Sequence, residues 1–177
     1  DALRTRRNVI MVGATLSGKT VLANSLLDAL LQDEGAALRL VLIEDTYELL
    51  CPAPNVLHLH TCDTVDLRTL VHDTLRLRPD RIIVGEVRGA EALELVKAWN
   101  TGHPGGITTV HADTAAAALV RLESLIEEAG VRPNPRVIAT ACHLLVMMER
   151  RGPRHWQVRE LVRCEGWDGQ RYVLTRM

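Results

Sequence analysis

The chain has 177 residues, 47% apolar and 24% charged, with a formal net charge of −1. That balance suits one soluble domain with a sizeable core and gives no global electrostatic case for nucleic acid or an anionic membrane. No apolar run approaches the ~20 residues of a bilayer span, and nothing resembles a secretory signal.

In chain order, short aliphatic runs predict strands at Asn8–Val12, Leu40–Ile43, Val56–His60, Arg81–Val84, Gly106–His111 and His143–Met148. Helical patterns fall between them at Lys19–Gln32, Val65–Leu77, Ala90–Asn100 and Ala115–Glu128, with a shorter one after Pro135. Strands alternating with helices of this length predict an α/β fold, a mostly parallel twisted sheet with helices on both faces. The tail "HWQVRELVRC", "EGWDGQ", "RYVLT" reads as a hairpin around Asp168-Gly169, adding antiparallel strands to the sheet. The expected organisation is a single domain over residues 1–177. Because Asp1 leads almost directly into a core strand, the domain reads as one cut from a longer protein.

Charge is uneven. Residues 1–120 carry 11 basic and 15 acidic side chains, and residues 121–177 carry 10 and 7. The basic group Arg150, Arg151, Arg154, Arg159 and Arg163 is either a partner surface or, with Glu149, Glu160 and Glu165 interleaved, a solvated face. Cys51, Cys62, Cys142 and Cys164 form no CxxC pair, so zinc is not expected and they read as buried or incidental thiols in a reducing cytoplasm.

Between the first strand and first helix lies "GATLSGKT", Gly13-Ala14-Thr15-Leu16-Ser17-Gly18-Lys19-Thr20. This is the GxxxxGK[ST] phosphate-binding loop, whose amides face an anion at a helix N-terminus. Lys19 would reach the β/γ-phosphates and Thr20 would offer its hydroxyl to Mg²⁺. Of 21 basic residues only Lys19 and Lys97 are lysines, and a compact charge on a flexible stem suits such a cavity better than arginine's rigid fork. Leu16 stands where glycine is frequent, and leucine disfavours positive φ; the loop is expected to adjust.

In "RIIVGEVRG", an aliphatic strand ends at Gly85, where aspartate is common, followed by Glu86. An acid in the crevice at a strand's C-terminal end suits a general base or water-positioning role. In "LVLIEDTYEL", Glu44, Asp45 and Glu48 either hold Mg²⁺ waters or form a solvated turn with helix-start acids. In "GHPGGITTVHAD", His103 and His111 flank a strand and either report phosphate by hydrogen bonding or serve the structure. His58 and His60 share a strand face and, with no third ligand near, read as structural.

Together "GATLSGKT", "LIEDTYEL", "LRPDRIIVGEVRGAEALELVKAWNTGHPGGITTVHAD" and "RLESLI" resemble the secretion ATPase superfamily, and more narrowly the TrbB-type conjugative-transfer ATPases of type IV secretion. The resemblance runs from about Asn8 to Met148. It implies a RecA-like fold and an Mg²⁺-dependent ATPase working as a homohexamer, peripheral to the cytoplasmic face of the inner membrane, with other components of the conjugation machinery as partners. By the same resemblance Gly13–Thr20 match the Walker A box, and Glu44, Asp45 and Glu48 match the acidic box. Glu86 matches the catalytic glutamate, and His103 and His111 the His box, with His111 as γ-phosphate sensor. Arg78 and Arg88 match arginines near the catalytic site, Arg78 on the nucleotide. Leu16 departs from the pattern, as does the missing N-terminal domain, and the absence of a tetracysteine module sets the chain apart from the type II branch. Two alternatives stay open: an assembly module that binds nucleotide with little hydrolysis, and a RecA-like DNA translocase. Near-neutral charge and three tryptophans with two tyrosines, none in a Gly-rich basic loop, argue against a base-stacking channel, so no direct sequence-specific nucleic-acid binding is expected.

Overall fold

The structure, a computed structural model, describes residues 1–34 and 37–177. Eight strands form one sheet: β1 (Val9–Val12), β2 (Leu40–Glu44), β3 (Val56–His60), β4 (Arg81–Val84), β5 (Ile107–Val110), β6 (Leu144–Gly152), β7 (His155–Trp167) and β8 (Tyr172–Arg176). Their order across the sheet is β3-β2-β4-β5-β1-β6-β7-β8. The strands from β3 to β6 in that order are parallel, and β7 and β8 extend the sheet antiparallel. Full burial of β1, β2 and β4 explains their unbroken aliphatic runs, since strands covered on both faces have no polar side to alternate with.

Helix α1 (Lys19–Glu34) covers one face, where Ala23, Leu27 and Leu30, one stripe at helical spacing, meet Met11, Leu42 and Ile83. The other face carries α2 (Leu67–Thr74), α3 (Glu91–Asn100), α4 (Ala115–Glu128) and α5 (Pro135–Ala141), packed on Ile10, Val12, Ile43, Ile82 and Val84. Side-chain caps fix where these helices begin: Asp66 accepts the Thr69 amide, Thr114 that of Ala117 and Asn134 that of Arg136. The Asp66 cap is why α2 starts at Leu67 rather than at the expected Val65, which pairs instead with Cys62 in an isolated bridge. Its expected last turn, Leu75–Leu77, tightens to a 3-10 turn.

The largest departure from the sequence reading lies at β6. Expected to end at Met148, it runs to Gly152 and turns through Pro153-Arg154 into β7, with Arg150 opposite Trp156. The second hairpin, around Asp168-Gly169, stands where it was expected. The arginines of this region are interleaved with acids, Arg151 with Glu149 at 3.2 Å and Arg163 with Glu165 at 2.6 Å, as a solvated face requires. All four cysteines are free, Cys142 and Cys164 buried and Cys62 exposed.

At the N-terminal edge of the parallel strands, buried polar groups tie the sheet together. Asn8 Oδ1 accepts the amides of Gly105 and Gly106 at 2.6 and 2.9 Å, and its Nδ2 donates to the Ala141 carbonyl at 2.7 Å. One side chain thus joins the entrances of β1 and β5 to the end of α5. Arg81, fully buried, donates to the carbonyls of Gly105 and Leu3. The Asn8 amide donates to His143 Nδ1 at 3.0 Å, which requires that nitrogen to be unprotonated.

Burial, and secondarily the charge of Arg7, hold His143 below its ordinary 6.5. A folded value below the unfolded one contributes stability above the unfolded pKa, and that stability is lost as pH falls through the folded value. Thermal melts from about pH 7.5 down to about 5 should therefore show a falling Tm, with a shallower fall in His143→Asn, which keeps an acceptor but cannot titrate. Identical pH profiles for the two proteins would remove His143 as the group responsible.

Candidate functional site

All parallel strands deliver their C-terminal ends to the other edge, and there the sheet order sets the site. Register pairs Val12 with Val110, so the phosphate loop leaving β1 lies beside His111 leaving β5. Next along, β4 supplies Glu86 and Arg88, and then β2 supplies Glu44 and Asp45. A cleft of about 350 Å³ runs along this edge, lined by Thr15–Val21, Glu48, Glu86, Thr109, His111 and Trp156.

Lys19 is buried and its Nζ donates to the carbonyls of Gly13 and Ala14, both at 2.9 Å, with His111 Nε2 at 3.2 Å. Burial pulls the Lys19 ammonium below its ordinary value, while Glu86 and then Glu48 oppose that shift. Thr15 Oγ1 is also 3.2 Å from His111 Nε2, and His111 Nδ1 is in contact with Glu86 Oε1, although the two are not aligned as a hydrogen bond. An ammonium can only donate, so Nε2 is the acceptor and the proton of the neutral ring is on Nδ1, the nitrogen beside Glu86. Glu86, His111 and Lys19 thus form one line from a carboxylate to a buried cation.

The loop is close-built. A Cβ on Gly13 would lie 2.5 Å from the Met148 carbonyl oxygen. Leu16 itself takes the left-handed conformation, φ +62°, with its side chain 71% exposed; that geometry costs a leucine about 1–2 kcal/mol. The Leu16 carbonyl accepts a hydrogen bond from Trp156 Nε1 at 3.1 Å. Trp156, at the start of β7, was read from the sequence only as part of the C-terminal antiparallel strands.

The acidic box divides into different tasks. Thr20 Oγ1 donates to Glu48 Oε2 at 2.8 Å. Asp45 pairs with Arg88. Glu44 is buried, and its Oε1 accepts the amides of Glu48 and Leu49 at 3.1 and 2.8 Å, so that oxygen braces the loop carrying Glu48. Its other oxygen, buried, lies 3.7 Å from His60 Nε2 and has no hydrogen-bond partner among the described residues. A Cβ on Gly85 would sit 3.0 Å from Glu44 Cγ, which is the steric reason for glycine there. His60 stacks on Tyr47 with ring centroids 3.4 Å apart. No cluster of three or more His, Cys, Asp or Glu able to hold a metal occurs among the described residues.

Two expected site residues lie elsewhere. Arg78 precedes β4 and is exposed, and His103 precedes β5, where its Nδ1 lies 3.0 Å from the Pro79 carbonyl oxygen. Both are at the N-terminal edge, a strand length of roughly 13 Å from the phosphate loop. They line no part of this chain's cleft, and the His box is split between the two edges because β5 runs between its histidines.

Residues 1–154 match the family described as Type II/IV secretion system protein. The conjugal transfer protein TrbB of Rhizobium radiobacter is 50% identical over 172 residues, covering 97% of this chain and 53% of that protein. The type IV secretion system protein VirB11 of Bartonella henselae is 40% identical over 134 residues, covering 72% of this chain and 36% of that protein. Among solved structures, the VirB11 ATPase of the Brucella suis type IV secretion system, in complex with sulphate, superposes with a TM-score of 0.79 at 29% identity, covering 90% of this chain and 49% of that one. The sheet order and this likeness make the fold RecA-like. The chain spans about half the length of the curated relatives it matches.

A charge-assisted contact of the kind Lys19 offers is worth about 1.5–3 kcal/mol, roughly ten- to a hundredfold in affinity. Lys19→Ala should weaken binding of inorganic pyrophosphate by that factor in calorimetry. Lys19→Arg should also bind poorly, because the fork cannot fit between the Gly13 and Ala14 carbonyls and His111. Unchanged affinity in Lys19→Ala would rule out this loop as a phosphate site.

Proposed function

This chain belongs to the family of type II/IV secretion system proteins, and from that premise we propose that it is the nucleotide-hydrolysing core of an ATPase that powers a conjugative type IV secretion apparatus. The observation that carries the reading is the line from Glu86 through His111 to Lys19 across the mouth of the phosphate loop. A bare Gly-rich turn needs no such line. A phosphate-cleaving site needs a buried cation for the phosphates and an acid aimed at the same space.

In this reading Gly13–Thr20 cradle the phosphates of ATP with backbone amides, and Lys19 exchanges its loop carbonyls for phosphate oxygens. Glu86 orients the attacking water and takes its proton. His111 sits between loop and acid, and its Nε2 can pass from Lys19 to an incoming phosphate, which makes it a sensor of that group. Arg88, tied to Asp45, keeps the acid-bearing loops in register.

Magnesium enters with the nucleotide. The described residues offer the Thr20 hydroxyl and the Glu48 carboxylate side by side and no closed set of protein ligands. That donor set suits an ion that keeps waters and shares substrate oxygens. The ion would supply charge neutralisation at the phosphates; Thr20 and Glu48 would hold it, and Asp45 would reach it through water. Glu44 serves by fixing Glu48.

The working state we propose is a homohexamer, peripheral to the cytoplasmic face of the inner membrane and partnered by other components of the conjugation machinery. No helix among the described residues is long and apolar enough to cross a membrane. In such a ring, any contact of Arg78 or His103 with nucleotide is to one bound by another copy, since neither reaches this chain's own cleft.

Glu86→Gln separates binding from chemistry. The amide keeps the shape and accepts from His111 but cannot take a proton, and loss of a general base costs ~10²–10⁴ in rate. The full-length variant should bind ATP near wild-type affinity and release phosphate at least about a hundredfold more slowly. Wild-type turnover would move the base elsewhere on this edge, to Glu48 or Asp45.

A further inference from the structure

The strain at Leu16 requires something to hold it, and the structure supplies one candidate from 140 residues away. Trp156 Nε1 donates to the Leu16 carbonyl at 3.1 Å. The same indole lies flush on the loop at Gly18, where an added Cβ would come 3.0 Å from Trp156 Cδ1 and 3.1 Å from Cγ. One ring therefore touches the loop at both ends of the Leu16–Gly18 segment, and Gly18 is the residue whose lack of a side chain admits it.

The mount is stiff. Trp156 opposes Arg150 in the β6–β7 pairing, and the Arg150 guanidinium closes the hairpin tip by donating to the carbonyls of Gly152 and Pro153 at 2.9 and 3.1 Å. The hairpin in turn rests on the loop's start, where the Met148 carbonyl closes over Gly13. The antiparallel extension of the sheet thus reaches back over the phosphate site.

We propose that Trp156 is a positioning residue for the phosphate loop: its N–H secures the Leu16 carbonyl and so keeps a leucine in the left-handed conformation that turns the loop's amides toward the anion. It is the device by which this chain does without glycine at position 16. A rival role for this indole in the cleft lining is a platform for the nucleotide base. The orientation argues for the loop, because the polar edge points at a loop carbonyl and the ring is packed against Gly18. The inference rests on the proposed phosphate site, and its test separates the two.

In the full-length protein, affinities for ADP and for inorganic pyrophosphate are measured for wild type, Trp156→Phe, Leu16→Gly and the double variant. Phenylalanine keeps an aromatic ring beside Gly18 while removing the N–H and part of the indole, and the Leu16→Gly arm separates the lost hydrogen bond from the lost area. One hydrogen bond to a loop carbonyl should be worth roughly three- to tenfold. Trp156→Phe is expected to weaken both probes by that factor in the leucine background. In the Leu16→Gly background the same change should cost less than about twofold, since glycine holds positive φ unaided. A loss confined to ADP would overturn the proposal in favour of base stacking. An equal loss beside leucine and glycine, or none, would also overturn it. A folded wild type that binds neither probe would overturn the phosphate site and the positioning role together.

Discussion

A lysine ammonium withdrawn from water needs acceptors on every side, and that demand organises the edge of this sheet. Lys19 finds them in two loop carbonyls and one imidazole. The carbonyls follow from the loop's path out of β1. The imidazole follows only if β5 lies beside β1 in the register that sets Val110 against Val12. His111 presents the correct nitrogen because Glu86, brought by the next strand, engages the other. The strand order β4-β5-β1 is therefore a chain of supports ending at one charge. A guanidinium, longer and planar, could not turn within the same radius.

The acids on this edge show how a residue type underdetermines a role. Glu44, Asp45 and Glu48 sit within five positions and read as one group, either partners of Mg²⁺ waters or acids of a solvated turn. Their geometry separates them by burial: Glu44, enclosed, must satisfy its charge on protein amides and does so at Glu48 and Leu49. Glu48, exposed, is left for Thr20. Gly85 belongs to the same arrangement, since an aspartate there would need the volume that Glu44 occupies. The two departures, an acid turned inward and an acid replaced by glycine, have one cause.

Much of this was legible in the chain. Strands β1, β2 and β4 appear as unbroken aliphatic runs because they are covered on both faces, and the phosphate loop is announced by its spacing. What escaped notice depended on pairing between distant segments. The sixth strand was expected to end at Met148, yet it continues through Arg150 because β7 lies alongside, with Trp156 opposite Arg150. Trp156 gave no signal, as its partner is Leu16. His103 and His111 were read as flanking a strand and grouped as one box, and the parallel strand between them, four residues long, carries the chain from one edge of the sheet to the other. Arg78 lies at the same N-terminal edge as His103, one strand earlier and away from this chain's own cleft.

The two edges also differ in how their polar groups are bound. At the N-terminal edge Asn8 and Arg81 are wholly enclosed and bonded to backbone, so nothing can replace their partners without opening the core. At the C-terminal edge the charged groups have polar partners: Lys19 the loop carbonyls, Glu48 the Thr20 hydroxyl, Arg88 Asp45 and Glu86 His111. In the proposed function those partners are the contacts that a phosphate oxygen or a hydrated cation would replace. Affinity at such a site is a difference between bonds gained and bonds given up. A loop that donates amides while its lysine is parked on carbonyls has its geometry ready in advance, and the anion needs only to displace a few internal contacts. Rigidity below and exchangeable pairs above are what allow one small sheet to keep its shape while its site changes partners.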